Sequence, residues 1–332
     1  MSRAGSTAAV HSVEEFVIGV PDLDVARHFY ESFGLDVRGE EGGLALYTNG
    51  HPHRWARVLG GFAHEKLLWL SFGAYEDDLA TLRHQLVNVG ALDGVPPNGA
   101  SPEGIWVRSP DGVPIQVRVA PKCSPSAPGP REHAPATGPG RPAVGRAPAR
   151  SKVGKVGKVH PLYLSHVLLF ASDVDQALEF FGTGLGLRLS DRSGSVIAFM
   201  HMPHGSDHHL VALAKSAGPG LHHSSWCVPS IDAVGLGMEQ MKAAGYAEGW
   251  GVGRHVLASN YFHYVRDPWG SYAEYSFDID FVPAGTTWPA ADHPGEDSLY
   301  VWGPSVPEEF VVNTEIGDWP ASAMGRGGSP LP

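Results

Sequence analysis

Three side chains with the chemistry of metal ligands stand far apart along the second half of the chain. His166 lies in the apolar run SHVLLF, His223 in HHSSWCV and Glu274 in YAEYSF. Two imidazoles and one carboxylate suit a divalent first-row metal, and on one face of an octahedron they leave three positions open, as in non-haem iron(II) centres. Such residues can converge only if their strands line one concave sheet. We therefore predict a metal site at His166, His223 and Glu274.

An internal repeat predicts the sheet that would bring these side chains together. The segment FVIGVPDLDVARHFYESFGLDV is similar to VLLFASDVDQALEFFGTGLGLRL, and RSPDGVPIQVRV is similar to RDPWGSYAEYSF. Each of the first two segments predicts an apolar strand, a capping Asp (Asp22 or Asp173) and an amphipathic helix. A further strand and helix in each half bring the number of βαβββ-like units to four. The predicted fold class is α+β, with two domains that each pair two βαβββ modules around a cleft.

The repeat also allows the two halves to be compared at the candidate ligand positions. The first half has Glu15, Leu68 and Gln116 where the second half has the three ligands. Only the second half therefore carries a plausible ligand set. We predict a metal-free N-terminal domain over residues 1–120 and a catalytic metal-binding domain over residues 161–285.

A basic, Pro-rich stretch separates the two halves. From Pro121 to Lys158 there are eight Lys or Arg residues, eight prolines and one acid. This stretch is poor in large apolar residues and cannot form a core of its own, so residues 121–160 are predicted to be a linker. Residues 286–332 have no counterpart in the first half and are predicted to be a C-terminal tail.

Charge and composition bear on the partners and on the compartment. The 332 residues have a net charge of −11, and subtracting the +7 of the basic stretch leaves −18 on the remainder. A body this acidic argues against a nucleic-acid partner, although the basic stretch alone could bind one. The sequence shows no apolar run of the roughly 18 residues that cross a bilayer and no secretion signal. We therefore expect no membrane partner. Cys123 and Cys227 are not expected to form a disulfide, which fits a reducing compartment, so we expect a cytoplasmic protein.

One long motif carries a family resemblance. The run GRHVLASNYFHYVRDPWGSYAE is similar to the signature of type I extradiol ring-cleavage dioxygenases, which belong to the vicinal oxygen chelate superfamily. The matching positions are Gly253, His255, Tyr264, Asp267, Pro268, Gly270 and Glu274. The signature expects an aliphatic residue or Phe just before the Tyr, where this chain has His263. The resemblance extends from about residue 10 to the tail and is more specific in the second half.

The resemblance implies the same three iron ligands, namely His166, His223 and Glu274. His222 competes with His223 for the second position. His223 is preferred because the family's strand begins with Leu, any residue and then the ligand, a pattern that fits Leu221, His222 and His223.

Three further residues acquire expected roles from the resemblance. His209 matches the second-sphere histidine beside the O2 site, and its neighbour His208 is rejected because His209 directly precedes the apolar strand. His255 and Tyr264 match the pair that hydrogen-bonds the bound diol.

The implied activity is cleavage of a catecholic ring next to its two hydroxyls, with Fe(II) and O2, in the breakdown of aromatic compounds. Mn(II) suits the same ligands. Relatives commonly form homo-oligomers, so an oligomer is expected here. Two alternatives stay open at this point. One is a metal-dependent, glyoxalase-like isomerase or lyase, which would turn over without O2, and the other is a non-catalytic small-molecule-binding protein.

Overall fold

The computed structural model describes residues 8–91, 93–130 and 157–316. Most of the predicted linker, residues 131–156, lies outside the described residues, as does the end of the predicted tail from residue 317. In the part of the chain that is described, no helix is both long enough and apolar enough to cross a membrane.

The first half forms one sheet of seven strands with two helices. The strands are β1 Val10–Gly19, β2 Asp36–Glu40, β3 Gly43–Tyr47, β4 Arg54–Leu59, β5 Lys66–Ala74, β6 Ile105–Arg108 and β7 Pro114–Val119. Their order in the sheet is 2-3-4-1-5-7-6, and the helices are α1 Leu23–Phe33 and α2 Glu76–Asn88. The first module is βαβββ, as predicted. In the second, only β6 and β7 follow α2, and an isolated bridge from Asp93 to Val107 stands beside them.

The second half forms a larger sheet of ten strands. Its elements are β8 Tyr163–Ala171, α3 Val174–Glu179, β9 Arg188–Ser193, β10 Ile197–His201, β11 Ser206–Asp207, β12 Val211–Lys215, β13 Gly220–Cys227, α4 Ile231–Ala243, β14 Gly249–His255, β15 Tyr261–Arg266, β16 Tyr272–Phe277, β17 Phe281–Val282, β18 Ala291–Asp292 and β19 Tyr300–Trp302. The sheet order is 18-9-10-12-8-13-16-15-14-19, and β11 pairs separately with β17. Both modules of this half follow the predicted βαβββ order, with the short β11 inserted before β12.

The predicted helix caps explain where the first helix of each half begins. Asp22 Oδ1 accepts hydrogen bonds from the backbone N–H groups of Asp24 and Val25, and Asp173 Oδ1 accepts one from that of Gln176. These bonds satisfy amides that have no partner inside the helix. The predicted capping role of both Asp residues is therefore confirmed.

The two halves share one apolar core through their helices and sheets. The rings of Phe33 and Tyr275 are stacked with centroids 4.0 Å apart, and the Tyr275 hydroxyl donates to the Phe33 carbonyl at 2.8 Å. Phe72 also meets Phe181 across this boundary. Full burial of each such ring contributes roughly 1.5–3 kcal/mol. The second sheet, which carries the candidate site, is thus held firmly against the first.

The tail extends the second sheet at both edges. Its strand β18 pairs with β9, and its strand β19 pairs with β14. A 3-10 turn at Glu308–Val311 then brings Phe310 into a buried aromatic cluster with Trp250, Tyr264 and Tyr272. The tail therefore helps to enclose the concave side of the sheet.

Candidate active site

Three adjacent strands carry the predicted ligands to one place. Strand β8 runs antiparallel to β13, with His166 opposite Ser225, and β13 runs parallel to β16, with Ser225 opposite Glu274. These three residues form one row across the sheet. His223 precedes Ser225 by two residues and so shares its face. The register alone thus brings His166, His223 and Glu274 onto one face of the sheet.

The ligand atoms are close enough to share one cation. His166 Nε2 lies 3.3 Å from Glu274 Oε2 and 3.3 Å from His223 Nε2, and His223 Nε2 lies 3.7 Å from Glu274 Oε2. Bonds of roughly 2.0–2.2 Å to one metal, set near right angles, would place ligand atoms about 3 Å apart. Glu274 Oε2 is buried and has no hydrogen-bond partner among the described residues, whereas Oε1 accepts from Asn260 Nδ2 at 3.1 Å. The arrangement fits a divalent metal.

His222 holds the neighbouring His223 in the tautomer that a metal needs. The register of β13 against β8 shifts at His222, so both histidines lie by the cavity although they are adjacent. His222 Nε2 donates to the Phe310 carbonyl at 2.6 Å, which leaves His222 Nδ1 to accept from His223 Nδ1 at 2.7 Å. His223 Nε2 then carries a free lone pair. Such outer contacts orient metal-binding histidines.

Burial favours the neutral forms of His222 and His223. It lowers the pKa of His223 well below its ordinary value, and the neighbouring His222 and His166 add to this effect. Burial also lowers the pKa of His222 to about 4. Neutral imidazole is the form that binds metal, so these shifts favour occupancy at neutral pH.

His209 and the pair His255–Tyr264 surround the three ligands. The ring centroid of His209 lies 4.0 Å from that of His166. His255 Nδ1 donates to the Leu299 carbonyl at 2.7 Å, so His255 Nε2 accepts from the Tyr264 hydroxyl at 3.0 Å. Burial lowers the pKa of His255 and raises that of Tyr264 well above its ordinary value. The structure therefore brings all six sequence-predicted residues together.

The cavity beside these residues has a volume of about 310 Å³. Its walls are largely apolar, and the second sheet and the tail both contribute to them. The apolar lining residues include Leu168, Phe170, Phe199, Trp250, Leu257 and Phe310. A concave apolar pocket with few polar groups is typical of a small-molecule site. Its size suits an aromatic ring.

Two contributors to the site were missed from the sequence. Asn260, which holds Glu274, lies within the motif, but its amide gives no signal until the strands are paired. Phe310 lies in the tail, for which the sequence analysis had no structural assignment. An isolated Phe in a Pro-rich segment has no periodicity that would reveal its place in the cavity.

The departure from the motif at His263 does not reach the cavity. His263 precedes Tyr264 on β15, so the two side chains point to opposite faces of the sheet. Tyr264 lines the cavity and His263 does not. Burial lowers the pKa of His263 to about 4, and its Nδ1 has no partner within the described residues. His263 therefore takes no part in lining the cavity.

A second group of potential ligands lies in the first half. Glu14, His53 and Cys123 have ligand atoms within 4.8 Å of one another. Here, however, Arg118 Nη2 already donates to Glu14 Oε1 at 3.0 Å, and burial raises the pKa of the Cys123 thiol to about 12. A paired carboxylate and a protonated thiol make this group the poorer metal site.

Comparison with known proteins agrees with this site. Residues 163–275 match the family model of the Glyoxalase/Bleomycin resistance protein/Dioxygenase superfamily. The chain is 50% identical over 307 residues to Metapyrocatechase 2 of Cupriavidus necator, which covers 92% of this chain and 93% of that protein.

Two solved structures share the fold. A Mn(II)-bound glyoxalase from Novosphingobium aromaticivorans superposes with a TM-score of 0.71 at 23% identity, covering 91% of this chain and 94% of that chain. A 2,2',3-trihydroxybiphenyl 1,2-dioxygenase from Sphingomonas wittichii gives a TM-score of 0.67 at 21% identity, covering 90% and 100%. These two establish architecture alone. The metapyrocatechase match extends over nearly the whole of both proteins, and on that ground the chain belongs to the extradiol ring-cleavage dioxygenases of the vicinal oxygen chelate superfamily.

Proposed function

We propose that this protein is an Fe(II)-dependent dioxygenase that opens a catecholic ring next to its two hydroxyls with O2, in the breakdown of aromatic compounds. The metal ligands are His166, His223 and Glu274. The observation that carries the proposal is the separation of 3.3–3.7 Å between their ligand atoms at the floor of an apolar cavity. In this proposal residues 161–285 form the catalytic domain, and residues 1–120 hold no metal.

Bound iron would supply a Lewis acid that lowers the pKa of a diol hydroxyl and a shared site for the diol and O2. The chain's own groups then orient and protonate. The Tyr264 hydroxyl and His255 Nε2 form a hydrogen-bonded pair at 3.0 Å, close to the ligands. His255 Nε2 can take the proton released when the diol binds, and the Tyr264 hydroxyl, which then no longer donates to Nε2, can donate to one diol oxygen. The apolar walls exclude bulk water and strengthen these contacts.

His209 serves as the proton donor on the O2 side of the site. It lies against His166 and lines the cavity. Phe199 packs against its ring with centroids 4.9 Å apart and restricts its orientation. General acid catalysis by such a group contributes roughly 10²–10⁴-fold in rate.

The choice of iron over manganese is part of the proposal, because both ions suit two imidazoles and a carboxylate. The cytoplasm remains the proposed compartment, since Cys123 and Cys227 are free thiols. A homo-oligomer is proposed on the family resemblance.

The test is O2 uptake by protein loaded anaerobically with Fe(II), measured over a panel of catechols with methyl, chloro, biaryl or extra hydroxyl groups. We expect one O2 consumed per diol and a yellow ring-opened product. A parallel sample loaded with Mn(II) identifies the preferred metal, and the His166→Ala variant is the inactive control. Turnover that continues unchanged under nitrogen, or an absence of turnover with every diol, would overturn the proposal.

A further inference from the structure

The Asn260 side chain holds one oxygen of the Glu274 carboxylate and leaves the other free. Its Nδ2 lies 3.1 Å from Glu274 Oε1 and 2.9 Å from Ser276 Oγ, so both protons of the amide have an acceptor. A carboxylate accepts hydrogen bonds and donates none, so the nitrogen of the amide must face Oε1. Glu274 Oε2, which faces His166 and His223, has no hydrogen-bond partner in the described part of the chain. The two oxygens of this carboxylate therefore have different surroundings.

Burial strengthens the hold of Asn260 on Oε1. Asn260 is 1% exposed and Glu274 is completely buried, so bulk water does not compete for this oxygen. His255 Nε2 lies 4.0 Å from Oε1, beyond hydrogen-bond distance, and it accepts from the Tyr264 hydroxyl instead. The amide of Asn260 is thus well placed to keep Oε1 where it is.

The loop between β14 and β15 places Asn260 through an unusual backbone conformation. Ala258 and Ser259 have φ values of 67° and 63°, in the left-handed region that residues with a side chain seldom adopt. Arg254 holds this loop, because its Nε donates to the Ser259 carbonyl at 3.0 Å and its Nη2 donates to Ser259 Oγ at 2.9 Å. The Asn260 carbonyl also accepts from the His255 backbone N–H at 2.9 Å. Such a conformation persists where the surrounding contacts fix it, and it is common at functional sites.

The number of oxygens that Glu274 gives to a metal decides how many positions stay open. Three ligand atoms on one face of an octahedron leave three positions. In the proposed function the diol takes two of them through its adjacent oxygens, and O2 takes the third. A carboxylate bound through both oxygens would fill a fourth position, and the diol and O2 would then compete for the remaining two.

We propose that Asn260 is a positioning residue that restricts Glu274 to a single metal–oxygen bond, through Oε2, and so keeps a position open for the second reactant. This inference rests on the proposed function, in which the diol and O2 share one metal. A rotation of the carboxylate that brought Oε1 to the metal would break the hydrogen bond to Asn260 Nδ2. It would also leave a buried amide proton without its acceptor, which is unfavourable.

The most direct test counts the carboxylate oxygens on the metal. Crystals of the unchanged protein and of Asn260→Ala, each loaded anaerobically with Fe(II), are compared by X-ray diffraction. We expect Oε2 alone within roughly 2.0–2.2 Å of the iron in the unchanged protein, and both oxygens in bonding contact in the variant. Iron bound to Oε1 in the unchanged protein, or to Oε2 alone in the variant, would overturn the inference.

A second variant covers the case in which Asn260→Ala does not fold. Asn260→Leu fills about the same volume and has no donor, so the same release of Oε1 is expected. Loss of iron from both variants would also overturn the inference, because Asn260 would then act on metal retention and not on the mode of binding. The matched control is Ser259→Ala, which removes the hydroxyl bonded to Arg254 in the same loop and should leave Glu274 bound through Oε2 alone.

Kinetics on the iron-loaded enzyme provide the second readout. We expect Asn260→Leu to lower kcat/KM for O2 at saturating diol by roughly 10–100-fold, the range for outer contacts at metal sites, with iron content unchanged. Ser259→Ala should keep the value of the unchanged protein, and an equal fall in both variants would contradict the assignment. The crystallographic result needs no ring cleavage. A second bound oxygen in Asn260→Ala, in a protein without dioxygenase activity, would therefore defeat the proposed function and leave the positioning role standing.

Discussion

The two sheets carry equivalent rows of residues that differ in their partners. In the second half the row is His166, Ser225 and Glu274, and in the first half the same registers give Glu15, Ser71 and Gln116. The repeat predicted the outer pairings of this row correctly. The position that matches His223, however, is Trp69, which lies two residues before Ser71, so the predicted match to Leu68 was wrong by one residue.

Arginines complete the first row. Glu15 Oε1 accepts from Arg54 Nε at 2.7 Å and from Arg57 Nε at 3.1 Å. The Arg57 guanidinium also lies over the Trp69 ring, 4.9 Å from its centroid. Gln116 is also paired, because its Oε1 accepts a hydrogen bond from the Ser71 hydroxyl at 2.7 Å. The polar groups of Glu15, Ser71 and Gln116 thus have partners from the chain, whereas the buried Trp69 Nε1 has none among the described residues.

The contrast indicates what makes a metal site in this fold. A carboxylate oxygen without a partner among the described residues, beside two imidazoles, can bind a cation. A carboxylate beside two guanidinium groups already has cationic partners. The following predictions test this contrast, beginning with the largest effect.

Removing a proposed ligand of the second half should abolish metal binding, whereas the matched change in the first half should not. We expect Glu274→Gln and His166→Ala to lose stoichiometric iron and to lower activity well beyond the roughly 10–100-fold that outer contacts give. Gln116→Ala is the matched change in the first row and should keep one iron per chain. Metal analysis after gel filtration checks both, and full iron content in Glu274→Gln would break the comparison.

Removing the proton donor should separate binding from turnover. His209→Asn is expected to keep iron and to bind the diol anaerobically with unchanged affinity, because His209 is not a ligand in the proposal. Its kcat should fall by roughly 10²–10⁴-fold. Stopped-flow measurement of the ring-opened product checks this. Unaltered turnover would remove His209 from the mechanism.

Removing the tyrosine hydroxyl should weaken the substrate contact. Tyr264→Phe leaves His255 Nε2 without its donor at 3.0 Å. A hydrogen bond to a charged partner contributes roughly 1.5–3 kcal/mol, so we expect about 10–100-fold weaker binding of the diol with iron retained. Anaerobic titration of the iron-loaded protein measures this affinity. An unchanged Kd would show that Tyr264 does not touch the substrate.

Neutralising the acid of the first row should affect stability and leave the metal in place. Glu15→Gln leaves the half-buried guanidinium groups of Arg54 and Arg57 without their anion. We expect a loss of roughly 1–3 kcal/mol in the free energy of unfolding, with iron content unchanged. Urea denaturation measures the first quantity. Loss of iron in this variant would contradict the separation of roles between the two rows.

Acid sensitivity should be shared by both halves. Burial lowers the pKa of His11 in the first half and of His263 in the second half to about 4. The unfolded chain takes up these protons near the ordinary value of about 6.5, so stability is present above that pH and falls as the pH drops toward 4. Each histidine contributes at most about 1.4 kcal/mol per pH unit. Urea unfolding between pH 7 and pH 5 should show a shallower slope in His11→Phe and in His263→Phe, and an unaltered slope in both would refute the assignment.

Much of the fold and of the site could be predicted from the sequence. The capping Asp residues and the spacing from His255 to Glu274 each lie within a short segment, and the repeat relates such segments between the two halves. The match of Trp69 to the His223 position was missed because the two strands share few residue types, although their registers agree: β5 has a shift at Leu68 where β13 has one at His222. The place of Phe310 in the cavity depends on where the tail crosses the second sheet. No local pattern encodes that path.

The most direct test of the account is anomalous diffraction at the iron absorption edge from crystals of iron-loaded protein. We predict a single strong peak within bonding distance, roughly 2.0–2.2 Å, of His166 Nε2, His223 Nε2 and Glu274 Oε2. A peak beside Glu14, His53 and Cys123 instead, or no peak between the three proposed ligands, would contradict it.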